Sequence, residues 1–182
     1  LDDNNDPQKL EQGRDELNKA IKLDSNLAEA QFWLGRYYLA KNDVARANES
    51  FLQAIRHPDL GKNFLNQSIA LLYSQPNALL PLVNQVIPAS LNQCKAEHVS
   101  ALIVRSTLAR KPVNTSMPWL EAKPLLDRCV NDAQTALKLC TPGQLKQRAD
   151  ATEAIATSKL LLFAIAPEDQ GKAQYRNETI AE

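Results

Sequence analysis

Apolar residues return every three or four positions through most of this chain, the period of one face of an α-helix. Leu10, Leu17 and Ile21, with the small Gly13 and Ala20 between them, mark the first such stretch. Asp24, Ser25 and Asn26 interrupt it with short polar side chains that compete for backbone hydrogen bonds and favour turns and caps. A second helix is predicted from Leu27 to Lys41 and a third from Val44 to Arg56, with Asn42 and Asp43 as the turn and Asp43 as the N-cap. Helical stretches separated by polar breaks continue over 62–93 and 96–140. One long helix follows Pro142 and Gly143 to about Ala164, its apolar residues being Leu145, Ala149, Ile155, Ala156, Leu160 and Phe163. The fold class this predicts is all-α. Residues 1–9 begin acidic and polar and are expected to be a flexible segment, and 167–182 a polar tail.

The second and third helices carry a more specific pattern. Leu34, Gly35, Tyr38, Ala47, Phe51, Ala54 and Pro58 stand where a tetratricopeptide repeat, a helix–turn–helix unit of about 34 residues, places its Leu-Gly, Tyr, Ala-x-x-x-Phe and Pro. The segment resembles that family, although Gln31 occupies the place of its first tryptophan. Small residues at Gly35 and Ala47 let two helix axes approach while Tyr38 and Phe51 fill the space beside them. A lone hairpin of this kind leaves an apolar face open, so neighbours are expected. Moving the frame along the chain brings Ile69, Ala70 and Tyr73 onto Leu34, Gly35 and Tyr38, and Ala89 onto Ala54. Further on, Cys129, Ala133 and Ala136 match Ala47, Phe51 and Ala54, with a lengthened loop at 111–123. The resemblance implies a right-handed α-solenoid over 10–166, with repeats at about 28–58, 62–93 and 96–140 and a C-terminal capping helix at 143–166.

Composition narrows the function classes. Lys plus Arg and Asp plus Glu both total 21, so no net field draws the chain to nucleic acid or an anionic membrane. No apolar run approaches the roughly 18 residues that span a bilayer, and direct membrane insertion is not expected. The chain starts with Leu1 and its single methionine is Met117, which suggests a processed product or an excerpt. Cys94, Cys129 and Cys140 show no metal-ligand spacing, and His57 and His98 lie in different segments. No metal or cofactor is expected. Cys129, in the place of a packing alanine, reads as a small buried hydrophobe. Cys94 and Cys140 close successive second helices and are a candidate disulfide in an oxidising compartment. Four N-x-S/T triplets begin at Asn48, Asn66, Asn114 and Asn177. No phosphate loop, nucleophile elbow or zinc-protease motif occurs, so no catalytic residue is assigned and the chain is read as a non-enzyme.

The family uses the concave side of its superhelix, lined by each first helix, to hold a peptide or partner helix. On this chain the resemblance assigns that wall to Phe32, Arg36 and Leu39, then Gln67 and Leu71, then His98 and Arg105. Arg36 and Arg105 hold equivalent places and suit carboxylates of a partner. The set of Lys and Asn residues with which one subgroup grips chaperone tails is absent, Phe32 and Arg36 standing at two of its positions. Trp119, between Pro118 and Pro124 in the lengthened loop, is either a partner anchor or cover folded back on the core. Pro118 and Pro124 each suit a helix start. The function expected is a protein-binding scaffold for assembly or tethering. The alternatives are an accessory region of a larger enzyme or membrane protein, or a small-ligand receptor. Family habit in bacteria favours an extracytoplasmic, periplasmic setting over a cytoplasmic one.

Overall fold

A computed structural model describes residues 7–167 of the 182-residue chain. Among the described residues every regular element is helical and there is no strand, as the apolar period predicts. In chain order the α-helices are α1 (Pro7–Leu23), α2 (Ala28–Ala40), α3 (Val44–Ile55), α4 (Gly61–Leu72), α5 (Pro76–Val86), α6 (Val99–Arg110), α7 (Trp119–Leu139) and α8 (Leu145–Ile165), with 3-10 turns at Leu91–Gln93 and Ala96–His98. The expected tail from 168 onward lies outside the described residues. The expected flexible segment at 1–9 lies outside them as far as residue 6, but α1 already begins at Pro7. Proline's fixed φ and missing N–H suit a first helical position. The chain divides into two compact units, one ending at Gln85 and the other beginning at Val86.

In the first unit α2 and α3 pack against each other as a hairpin. Leu34, Gly35, Ala47, Phe51 and Ala54 are buried at the contact and Tyr38 is half-buried. A Cβ on Gly35 would meet the Phe51 ring at 2.6 Å, so only glycine lets the ring lie on the α2 backbone. The turn between them has a definite chemistry. Asn42 takes φ 58°, its N–H donates to the Leu39 carbonyl at 3.0 Å, and the Asp43 N–H donates to the Tyr38 carbonyl at 2.9 Å. These are the two bonds of a Schellman stop. Asp43 then caps α3 by accepting the Arg46 N–H at 3.1 Å.

Phe32 joins the hairpin to α4, its ring 5.5 Å from Phe51 and 5.0 Å from Phe64. The Nδ1 of His57 accepts the N–H groups of Asp59 and Leu60 and organises the turn into α4. α4 buries Phe64, Leu65, Ser68, Ile69 and Leu72, and α5 buries Ala78, Leu79, Leu82 and Val83. The register expected for this second pair is partly corrected. Ile69 is buried, whereas Ala70 is on the exposed side of α4, and Tyr73 and Ala89 are exposed beyond the ends of α4 at Leu72 and α5 at Val86. Asn48 ties α3 to α5, donating from Nδ2 to the Ala78 carbonyl at 2.9 Å inside the core.

In the second unit α6, α7 and α8 each pack against the other two. Alanines line much of the contact: Ala101, Ala133, Ala136, Ala151 and Ala154 are all buried, and small side chains bring helix axes close. Cys129, Ala133 and Ala136 are buried as expected. Of the apolar residues that mark α8 in the sequence, however, only Ile155 is turned inward. Ala151, Ala154, Ile155, Ser158 and Leu162 are buried, while Leu145, Ala149, Ala156, Leu160 and Phe163 are exposed. Both sets recur at helical spacing, and the inward one is the smaller, matching the alanines of α7. Pro124 does not start α7. It sits within that helix, which begins at Trp119, directly after Pro118.

Candidate partner-binding surface

The residues expected on a partner wall have separate fates. On α2, Arg36 is exposed and its guanidinium lies 4.3 Å from the centroid of the Trp33 ring. Trp33 is itself 52% exposed. Three-residue spacing places both on one side of the helix, and the ring's negative face attracts the cation. Among the described residues no carboxylate pairs with Arg36. Leu39 is half-buried, Gln67 is exposed and Leu71 is half-buried. Phe32 is a correction, because its ring is enclosed by Phe51 and Phe64 and belongs to the core.

Arg105 is the larger correction. It is 7% exposed and holds Asp132 with two hydrogen bonds, Nε to Oδ2 at 2.7 Å and a terminal nitrogen to Oδ1 at 2.6 Å. The bidentate fork uses the geometry in which guanidinium and carboxylate match best. It is committed inside the second unit and does not share the surface role of Arg36. Beside it the Cys129 thiol is in hydrogen-bond contact with Ser106 at 3.0 Å and Ser158 at 2.8 Å, so one polar layer crosses all three helices. His98 accepts the Lys95 N–H on Nδ1 at 2.8 Å and supports the turn before α6. Trp119 is half-buried against a cluster of Val113, Ala122, Leu126 and Leu162, which is the cover role. Cys94, Cys129 and Cys140 are free thiols, so the candidate disulfide is not formed. Burial pushes the thiols of Cys94 and Cys140 above their usual range.

One polar cleft of the first unit escaped the sequence reading. It measures about 530 Å³ and lies between α1, the end of α2 and the start of α3. α1 contributes Arg14, Asp15 and Asn18; α2 contributes Tyr37 and Tyr38, followed by Lys41; Asp43 and Arg46 come from the cap and first turn of α3. Glu11 anchors it. Its carboxylate accepts the Tyr37 hydroxyl at 2.6 Å, pairs with Arg14 at 2.6 Å and with Lys41 at 3.0 Å, and so ties α1 to α2. The Tyr37 hydrogen bond, then Lys41, hold Glu11 below the usual carboxylate range, while the same bond raises the Tyr37 phenol. The Arg46 N–H likewise lowers Asp43. A depressed carboxylate pKa means that both contributions are present above the ordinary carboxylate range and fade as pH falls through the folded value. The signal available in sequence was Tyr37-Tyr38 followed by Lys41 and Arg46 at helical and turn spacing, but the partners on α1 are visible only in three dimensions.

Asn48 of the first N-x-S/T triplet is buried and Ser68 of the second is buried in α4. Asn114 is exposed, its Oδ1 accepting from the Ser116 N–H and hydroxyl. Asn177 lies outside the described residues. Among the described residues no group of three or more His, Cys, Asp or Glu is placed to hold a metal ion, and no helix is long and apolar enough to cross a membrane. No family model, curated protein or solved structure matches the chain.

Proposed function

We propose that the chain is a protein-binding scaffold, with residues 10–86 arranged as a right-handed tetratricopeptide-like array that seats a peptide or partner helix against the outward side of α2. The reading is supported by the α2–α3 hairpin, where the family's small and large residues meet as its packing requires. The observation that carries it is the exposed Trp33–Arg36 stack. Trp and Arg are the residues most enriched at interface hot spots, where an aromatic side chain supplies area at small entropic cost. Stacking pre-orients the guanidinium, leaving its edge available to a partner carboxylate. A side chain already held in its bound geometry loses less freedom on association.

Affinity capture with the full chain, Trp33→Ala and Arg36→Glu tests this. Both residues are exposed, so thermal melting should change little. Capture of partners should weaken by about 10-fold or more for each, the order of a hot-spot truncation, and Arg36→Glu should also remove most of the salt dependence. Equal capture by wild type and both variants would sink the proposal. The corrected position of Arg105 matters to the design. Reversing its charge would strand Asp132 in the core and confuse loss of binding with loss of fold.

A further inference from the structure

The cleft between α1 and the α2–α3 turn has a composition that discriminates among ligands. Its cations are Arg14, Lys41 and Arg46, and each is already matched by a carboxylate. Arg14 pairs with Asp15 at 2.7 Å as well as with Glu11, Lys41 pairs with Glu11, and Arg46 pairs with Asp43 at 2.6 Å. The lining itself carries three cations and two carboxylates, Asp15 and Asp43, and Glu11, which pairs with Arg14 and Lys41 without lining the cleft, brings the charges to balance, so the site exerts little net pull on an anion or a cation. What remains is hydrogen-bonding capacity of both kinds. Arginine has five N–H donors and lysine three, of which these pairs use only part, while each carboxylate accepts several bonds and the Asn18 amide does both.

A ligand that satisfies such a site must itself donate and accept at neighbouring atoms without carrying charge. Hydroxyl groups do this, each offering one O–H and two lone pairs. The walls add two rings, Tyr37 and Tyr38, with centroids 5.3 Å apart at 70°. Cations lie near both rings, Arg46 at 4.9 Å from Tyr38 and Lys41 at 5.7 Å from Tyr37. The volume of about 530 Å³ falls within the range of small-molecule sites, roughly 300–1,000 Å³. The rim is held by the Asn42 turn and the Asp43 cap, so the groups are preset rather than recruited. We infer that this cleft binds a neutral polyhydroxylated ligand with the chemistry of a short oligosaccharide. The site goes beyond the scaffold reading and does not depend on it.

The test is an NMR titration of the full chain with maltotriose, cellotriose and chitotriose, at low and at high salt. Inorganic phosphate and a glutamate-rich peptide serve as charged competitors for the same residues. At least one trisaccharide should shift the Asn18, Tyr37, Tyr38 and Lys41 signals saturably. Because the site is charge-balanced, its affinity should change by less than about twofold between the two salts. Asn18→Ala and Arg46→Ala should each weaken binding by about 10-fold, on the scale of lost hydrogen bonds to charged and amide groups. Unchanged circular dichroism would separate that loss from unfolding. Silence with all three trisaccharides overturns the proposal, and so does salt-sensitive occupation of the cleft by phosphate or the acidic peptide alone.

Discussion

Asp132→Ala should destabilise the second unit by about 3–5 kcal/mol, because it leaves the Arg105 guanidinium buried without its counter-charge. Asp132 is 1% exposed, and both of its oxygens are engaged by Arg105. The cost reflects the stranded partner more than the strength of the bond. A paired replacement, Arg105→Met with Asp132→Leu, should therefore recover most of the loss, since apolar groups of similar volume can replace a buried ion pair at little or no cost. Urea unfolding followed by amide signals of α6 and α7 reads both. A loss below about 1 kcal/mol for the single variant, the scale of an exposed pair, would mean that water reaches the guanidinium and that the pair is not interior.

The second large effect lies in the other unit. Phe51 is fully buried against Gly35 and touches the Phe32 ring. Phe51→Ala should cost about 3–5 kcal/mol by removing the ring and leaving a cavity. Its coupling to Gly35 supplies the sharper check. Gly35→Ala in the wild type drives a methyl to 2.6 Å from the ring and should cost about 1–3 kcal/mol through overpacking. In the Phe51→Ala background that obstacle is gone, and the same change should become stabilising by up to about 1 kcal/mol, the helix propensity difference between glycine and alanine. A double-mutant cycle without a reversal of sign would show that the close approach of α2 and α3 is not what keeps glycine at this position.

The α2–α3 hairpin was legible because its signals are local and agree with one another. Helical period, a polar turn, an aspartate cap and a small-large alternation fall within one continuous stretch, and Leu34, Gly35, Ala47, Phe51 and Ala54 bury accordingly. The inward side of α8 was not legible, because two apolar stripes run along that helix and periodicity ranks the larger side chains first. Neighbouring alanines on α7 decide for the smaller stripe, and that is a fact about packing between helices. Arg105 was misplaced for a similar reason. Its acidic partner stands on the next helix, and equivalence with Arg36 by repeat register carries no information about burial. The polar cleft needed three helices to converge before Arg14, Tyr37 and Arg46 could be seen together. Trp33 stands three residues before Arg36 on α2, a cation–π spacing that is local and therefore legible in the sequence.

The state of the thiols has a practical consequence for probe chemistry. Alkylating reagents attack thiolates, and here Cys94 and Cys140 are shielded and biased toward protonation, while Cys129 is sealed in the helix contact. A cysteine introduced on the solvent side of α2 would thus take a maleimide dye selectively at neutral pH. The native sulfur atoms need not be removed first, and distance measurements to a bound partner can begin from the unaltered core.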